Sequence, residues 1–282
     1  MTISPAPNRW RLRRVPLGIA IGFALAGAIL VLAIAAPSVV PFDPMRMGVG
    51  PRLAPPSQRF PFGTDEFGRD LLSRVLMGAR LSLMMGSCAV AGGLVIGALT
   101  GLIAALGGKI AEAVLLRVVD ILYSFPDILV ALALVAFLGP GIVNASIAIA
   151  ISLVPIFARV TYGLAAAERA KPYVAAALLA GNRQGRLARV HIVPNIGQSV
   201  LVVAMLGFSS AILSSAGLSF LGLGVQPPSP EWGAILASGR TYMTKAPWIL
   251  LFPGLAICLT ALAMSLIADG LRDITGPRGR SR

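Results

Sequence analysis

Charge is what this chain has least of. Lysine, arginine, aspartate and glutamate make up 12% of its 282 residues, and only 11 of those residues are acidic, whereas an ordinary soluble domain carries about 25% charged residues. A soluble globular domain is thereby excluded. There is one histidine, His191, and there are two cysteines, Cys88 and Cys258, which is too little to build a His/Cys metal site. The cysteines fall in different apolar runs, so they are expected as free thiols buried as small hydrophobes and not as a disulfide. No serine, histidine and acid set and no paired carboxylates in an aqueous setting point to catalysis. The chain also lacks a phosphate-cradling loop: Gly107-Gly108-Lys109 is followed by Ile110, without the upstream glycine and the following Ser/Thr that such a loop needs. Any use of ATP must come from another chain. Internal repeats and low-complexity stretches are absent too.

What the chain does have is oil: 56% of its residues are hydrophobic. A span needs about 20 apolar residues to cross roughly 30 Å of hydrocarbon. Six runs qualify, at about 15–40, 82–106, 114–138, 143–164, 196–221 and 248–268. Prolines at 126, 155 and 253 interrupt three of them and are read as kinks. The fold class is therefore an all-α polytopic membrane protein. The basic stretch at 9–14 before the first run, with Ala33-Ile34-Ala35 inside it, has the outline of a cleavable signal peptide, but the run exceeds the 7–15 residues of such a core. It is read as a span.

The formal charge of +13 would point to nucleic acid in a soluble protein, but here it flanks apolar runs and so reads as topology, with the lipid bilayer and no nucleic acid as its partner. With the N-terminus inside, sixteen of the 24 basic residues fall on the inner side, which favours both termini there. The resulting organisation is a basic N-terminus at 1–14, a first span at 15–41 and an outer segment at 42–81. A five-helix core at 82–270 carries an inner loop at 165–195, and a basic tail occupies 271–282. In the outer segment Thr64 or Asp65 can cap a helix whose apolar face is Leu71, Leu72, Val75, Leu76 and Ala79, with Asp70 and Arg74 as a surface pair. That describes an amphipathic helix at the interface before the chain turns into the second span.

Small residues recur at Gly93, Gly97 and Gly101, the spacing that lets two helix backbones touch. In the third run Arg117, Asp120, Ser124 and Asp127 lie three or four apart and share a helical face. Charge inside a membrane faces protein or water. Either Asp120 and Asp127 border a polar pathway, or an Arg117–Asp120 pair fixes the helix's orientation. The inner loop contains PYVAAALLAGNRQGRLARVHIVPN, residues 172–195. Its alanine-rich start favours a short helix closed by Gly181, and Pro194 suits the first turn of the next span. Arginines at 183, 186 and 189 follow. They can simply hold the loop on the inner side, or the small-residue helix can serve as a docking element.

The order Ala175-Ala176-Ala177, Gly181, Val193-Pro194 resembles the cytoplasmic signature of ABC importer permeases, with Ala175 in place of the usual glutamate and Val193 in place of leucine. A second stretch, FGTDEFGRDLLSRVLMGARLSLMMG at 62–86, is similar to the segment before the second span in C-type subunits of the peptide and nickel importer family, through Gly63, Thr64, Asp65, Gly68, Arg69 and Asp70. RVVDILYSFPDILVALALVAFLGPG and GLSFLGLGVQPPSPEWGAIL extend the resemblance across most of 62–269. The resemblance implies a type I importer core (MetI-like) in the bacterial inner membrane, without a cofactor. It also implies a sister permease subunit as heterodimer partner, two cytoplasmic ABC ATPases and an extracytoplasmic substrate-binding protein. Tyr173, Ala175, Ala176, Ala177, Gly181, Arg183, Arg186 and Pro194 would form the ATPase-coupling loop. Di- and oligopeptides are the implied cargo, with nickel, haem or glutathione as alternatives. The elbow at 63–70 would anchor at the membrane surface or meet the binding protein. A transporter driven by an ion gradient is the rival reading, and it predicts ionisable residues at mid-membrane and matched broken helices in two halves.

Overall fold

A computed structural model describes residues 17–275. Ten α-helices account for most of them, and the one extended pairing among the described residues is an isolated bridge between Thr64 and Asp70. The helices are α1 (Leu17–Val39), α2 (Leu71–Leu106), α3 (Lys109–Tyr123), α4 (Asp127–Leu138), α5 (Ile142–Arg169), α6 (Pro172–Leu179), α7 (Gln184–Leu187), α8 (Val193–Phe220), α9 (Trp232–Gly239) and α10 (Trp248–Thr275). Five stretches are long and apolar enough to cross a membrane, and the bent pair α3–α4 makes a sixth when it is counted as one span.

Helix α2 is the spine. A Cβ on Gly93 would meet the Ala150 carbonyl at 2.7 Å, one on Gly97 the Val154 carbonyl at 2.7 Å, and one on Gly101 the Ala158 carbonyl at 2.3 Å. The offset between partners is constant, so α2 and α5 run parallel with backbones in contact, as small residues four apart permit. The segment between two parallel neighbours has to return the chain to its starting end, and α3 with α4 does so. Helix α8 runs the other way, with Gly86 of α2 against Ile212 and Phe208. Met85, Ala89, Ile149, Phe157, Ala211 and Leu218 form the core among these helices. Helix α1 packs antiparallel on α10, Gly22 meeting Ala263 and Ile267 while Gly270 meets Ile19.

Residues 40–70 and 221–247 close over one end of the bundle, its cap. The opposite end, its base, gathers the start of α1, the ends of α2, α5 and α10, and the whole of 165–195.

Several expectations need correcting. The helix before the second span is not a separate interfacial piece; it is the first turns of one continuous 36-residue α2. Its cap is neither Thr64 nor Asp65 but Asp70, whose carboxylate accepts from the Ser73 amide at 2.8 Å and the Ser73 hydroxyl at 2.6 Å. Leu71 and Val75 face the protein and not lipid, so nothing bends the chain at residue 82. At about 54 Å, α2 exceeds the hydrocarbon thickness, and its polar first turns stand in the cap. Asp70 and Arg74 are no surface pair either, because both are buried.

Pro126 breaks the third run instead of kinking it. The two pieces meet at 88°, since a proline pushes the preceding residue, Phe125, out of the helical region and the flanking residues supply stop and start signals. The Ser124 hydroxyl donates back to the Ile121 carbonyl, and the Asp127 carboxylate accepts from the Ile128 amide. Pro155 and Pro253 stay inside unbroken helices. The fifth span starts earlier than 196: helix runs from Gln184 through a π turn at Ala188–Ile192 into α8. The wider turn fits beside Pro194, which has no N–H to give and crowds the carbonyl one turn back. Finally, Cys88 and Cys258 are free but exposed, not buried.

Candidate functional site

At the base, α6 opens on Pro172, where a missing N–H costs nothing. It closes on Gly181 at φ +82. The Gly181 amide donates to Leu178 and the Asn182 amide to Ala177, the paired closing bonds that a left-handed glycine allows. This helix buries one side chain, Val174. Ala175 and Ala176 are exposed, Leu178 is half exposed and Leu179 is 90% exposed. The result is an apolar, small-residue face left largely uncovered. Arg183, Arg186 and Arg189 are exposed beside it, and Pro194 lies two residues beyond the π turn. A shallow cavity of about 110 Å³, lined by Leu106, Arg169, Val174, Ala175, Leu178 and Leu187, lies beneath α6.

A polar chain that sequence reading missed ties α6 to its neighbours. Glu168, near the end of α5, is 7% exposed. It accepts from Lys171 Nζ at 2.6 Å and from the Tyr173 hydroxyl. That hydroxyl accepts from Asn195 Nδ2 at 3.0 Å, and the same nitrogen donates to the His191 carbonyl at 2.6 Å. Hydrogen bonding to the Glu168 carboxylate pushes the Tyr173 phenol above its ordinary value of 10. Arg169 donates to the Ala105 carbonyl at 2.6 Å, a cation on the open end of α2. Glu168 and Asn195 carry no motif spacing, and only their position at helix ends beside the loop could have marked them.

A second feature lies on the face of α3, α4 and α5. Arg159 Nη2 lies 2.6 Å from Asp120 Oδ1, and its guanidinium sits 4.9 Å from the Tyr123 ring centre. The expected Arg117–Asp120 pair is not formed; Arg117 is exposed, and the partner of Asp120 comes from another helix. Nor do Asp120 and Asp127 share one helical face, since the 88° break separates them. Of the two, only Asp127 lines the neighbouring cleft; Asp120 does not. Asp127 and Tyr123 line a cleft of about 450 Å³ together with Pro126, Ser152, Pro155 and Ser210. Glu112 accepts from the Tyr162 hydroxyl, a further link from α3 to α5.

In the cap, Gly63 and Gly68 have φ of +77 and +69, and a Cβ on Gly68 would fall 2.3 Å from the Gly50 carbonyl. They fold the chain tightly around Asp65. Its carboxylate takes Arg69 Nε at 2.5 Å and Arg74 Nε at 3.5 Å, and accepts from the Phe67 and Arg69 amides at 2.9 Å each. Arg74 also donates to the Pro44 and Pro228 carbonyls. Thr64 donates to the Pro51 carbonyl and accepts from the Ala54 amide. Thr64, Asp65, Arg69 and Asp70 are all at most 2% exposed, so these side chains neither anchor in lipid nor meet another protein; they clamp the cap. Glu231, 1% exposed, completes the clamp by capping α9 and accepting from Ser82. Trp232 donates to the Val75 carbonyl at 2.9 Å.

The family described as "Binding-protein-dependent transport system inner membrane component" matches residues 93–281. The di/tripeptide transport system permease protein DppC of Pseudomonas aeruginosa is 46% identical, over 90% of this chain and 88% of that protein. The dipeptide transport system permease protein DppC of Alkalihalophilus pseudofirmus is 43% identical, over 93% and 86%. The probable D,D-dipeptide transport system permease protein DdpC of Escherichia coli K12 is 40% identical, over 95% and 90%. Among solved structures, a chain of the MetNI methionine ABC transporter in inward-facing conformations aligns with a TM-score of 0.57 at 20% identity. The alignment covers 71% of this chain and 97% of that one, a likeness of fold.

Proposed function

Because the chain belongs to the family of binding-protein-dependent transport system inner membrane components, we propose that this ABC importer permease subunit carries dipeptides or short oligopeptides. The cargo is supported by relatives whose names specify dipeptide transport and which align over nearly their whole length. It works beside a sister permease, two cytoplasmic ATPases and an extracytoplasmic binding protein, and ATP is hydrolysed in the ATPases. The base of the bundle, with the start of α1, the end of α10 and the basic loop, faces the cytoplasm, as the distribution of lysine and arginine favours.

The observation that carries the mechanism is the exposed face of α6. An eight-residue helix with one buried side chain, closed by a left-handed glycine, stands at the base between the ends of α5 and α8. We assign it as the helix that docks on an ATPase. Closure of the ATPase pair displaces α6, and the two permease subunits exchange between outward- and inward-open packings, a shift between two states. The Asp120–Arg159 pair and the cleft beside Asp127 lie on the face that borders the route between subunits, because a half-exposed ion pair on spanning helices requires water or protein against it.

The test is Ala176→Trp in the whole transporter. Copurification of the ATPases and their stimulated ATP hydrolysis should both fall by about tenfold, as expected for loss of roughly 1.4 kcal/mol of docking energy. Unchanged assembly and turnover would remove α6 from the docking role.

A further inference from the structure

Helix α6 is held to the bundle by remarkably little apolar contact for a part that is to transmit force. Val174 alone is buried, and the helix is flanked by Ala170-Lys171 on one side and by the Gly181 turn on the other. The polar chain makes up the difference. Glu168 is buried at the base end of α5, and both of its oxygens are used: Oε2 accepts from Lys171 Nζ at 2.6 Å, and Oε1 accepts from the Tyr173 hydroxyl on the first turn of α6. Tyr173 passes the connection to Asn195 on the first turn of α8, and Asn195 holds the His191 carbonyl of the π turn.

We propose that Glu168 is a positioning residue: through Tyr173 and Asn195 it fastens α6 to α5 and α8 together, so that displacement of α6 moves both helices. The inference rests on α6 being the docking helix. A buried carboxylate is costly unless its acceptor sites are filled. Letting α6 tilt away would strip the largely buried Glu168 carboxylate of its charge-assisted bond from the Tyr173 hydroxyl, so the joint resists opening. The π turn next to it, where the ladder is already wide, is where the strain of such a movement can be absorbed. If the chain of bonds only capped the end of α5, its loss would lower the amount of folded protein and leave the work done per ATP unaltered.

The experiment uses the whole transporter, with ATPases, sister permease and binding protein, in proteoliposomes, and reads uptake of radiolabelled alanyl-alanine per ATP hydrolysed. Tyr173→Phe keeps the ring and removes only the hydroxyl. It should lower uptake per ATP hydrolysed, a ratio that counts only assembled transporter, by about fivefold, the effect of one ordinary hydrogen bond on a two-state balance. Glu168→Ala should do the same. Glu168→Gln, which keeps an oxygen for Tyr173 to donate to, should return most of the coupling. A native uptake-to-hydrolysis ratio in Tyr173→Phe would overturn the proposal, and so would a defect in Glu168→Ala that Glu168→Gln does not relieve. Failure of the docking reading is separate: it shows as ATPases retained by Ala176→Trp.

Discussion

Arg159 of α5 reaches across to α3 and holds Asp120 at 2.6 Å, with both side chains about half exposed. In water such a pair is worth about 0–1 kcal/mol. Between spanning helices, removing one partner leaves a lone charge, and this sets the expected pattern. Asp120→Ala and Arg159→Ala should each lower the thermal stability of the detergent-solubilised protein, and the double variant should recover part of the loss. The coupling should fall in the range of about 0.5–3 kcal/mol. Additive losses would mean that the pair does no work in the fold.

The contact between α2 and α5 predicts a steep size dependence. A methyl on Gly97 would lie 2.7 Å from both the Val154 carbonyl and the Phe157 Cβ, atoms that cannot move without shifting a helix. Gly97→Ala should cost about 1–3 kcal/mol. Gly163 on α5 has open space around it, so Gly163→Ala should be neutral or gain up to about 1 kcal/mol. Melting curves of the two variants side by side decide the matter.

The cap should fail at Asp65. It is 1% exposed and sits between Arg69 and Arg74, so Asp65→Ala leaves two buried guanidinium groups without their shared carboxylate. Loss of one member of a buried ion pair costs about 3–5 kcal/mol. The expected result is little folded protein and rapid proteolysis within 40–70, with Asp43→Ala, on the exposed side of the same segment, as the tolerated control.

Alkaline titration reports on the base. The Tyr173 phenol is held above 10 chiefly by its bond to Glu168. The folded value exceeds the unfolded one, so the stabilisation is fully present below pH 10 and is lost as pH rises through the raised value. Among the four tyrosines, the one missing from the absorbance titration of Tyr173→Phe should be a late-titrating one. Glu168→Ala should move that step down toward 10.

Much of the architecture was legible. Long apolar runs report a bilayer because hydrocarbon leaves a backbone nothing to bond except itself, and each span was located within a few residues except where local chemistry intervened. The four-residue glycine spacing announced a close helix contact. Gly181 announced the end of α6, since a left-handed turn selects glycine whatever the surroundings. These signals are local, and the sequence carries them alone.

Pairing across helices is another matter. Asp120 has Arg117 three residues away and yet bonds to Arg159, 39 positions on, because which face of α3 meets α5 is settled by packing and not by spacing. Asp65 read as a possible helix cap and Asp70 as half of a surface pair with Arg74, and both instead lie inside a folded cap, since 40–70 wraps back on itself around Gly63 and Gly68. Glu168, Glu231 and Asn195 drew no notice, for a single polar residue has no period to read. The amino-acid order determined where the chain enters the membrane and where its helices stop. The folded arrangement decided which charges meet, because partners from distant helices are chosen by the cost of burying either one alone.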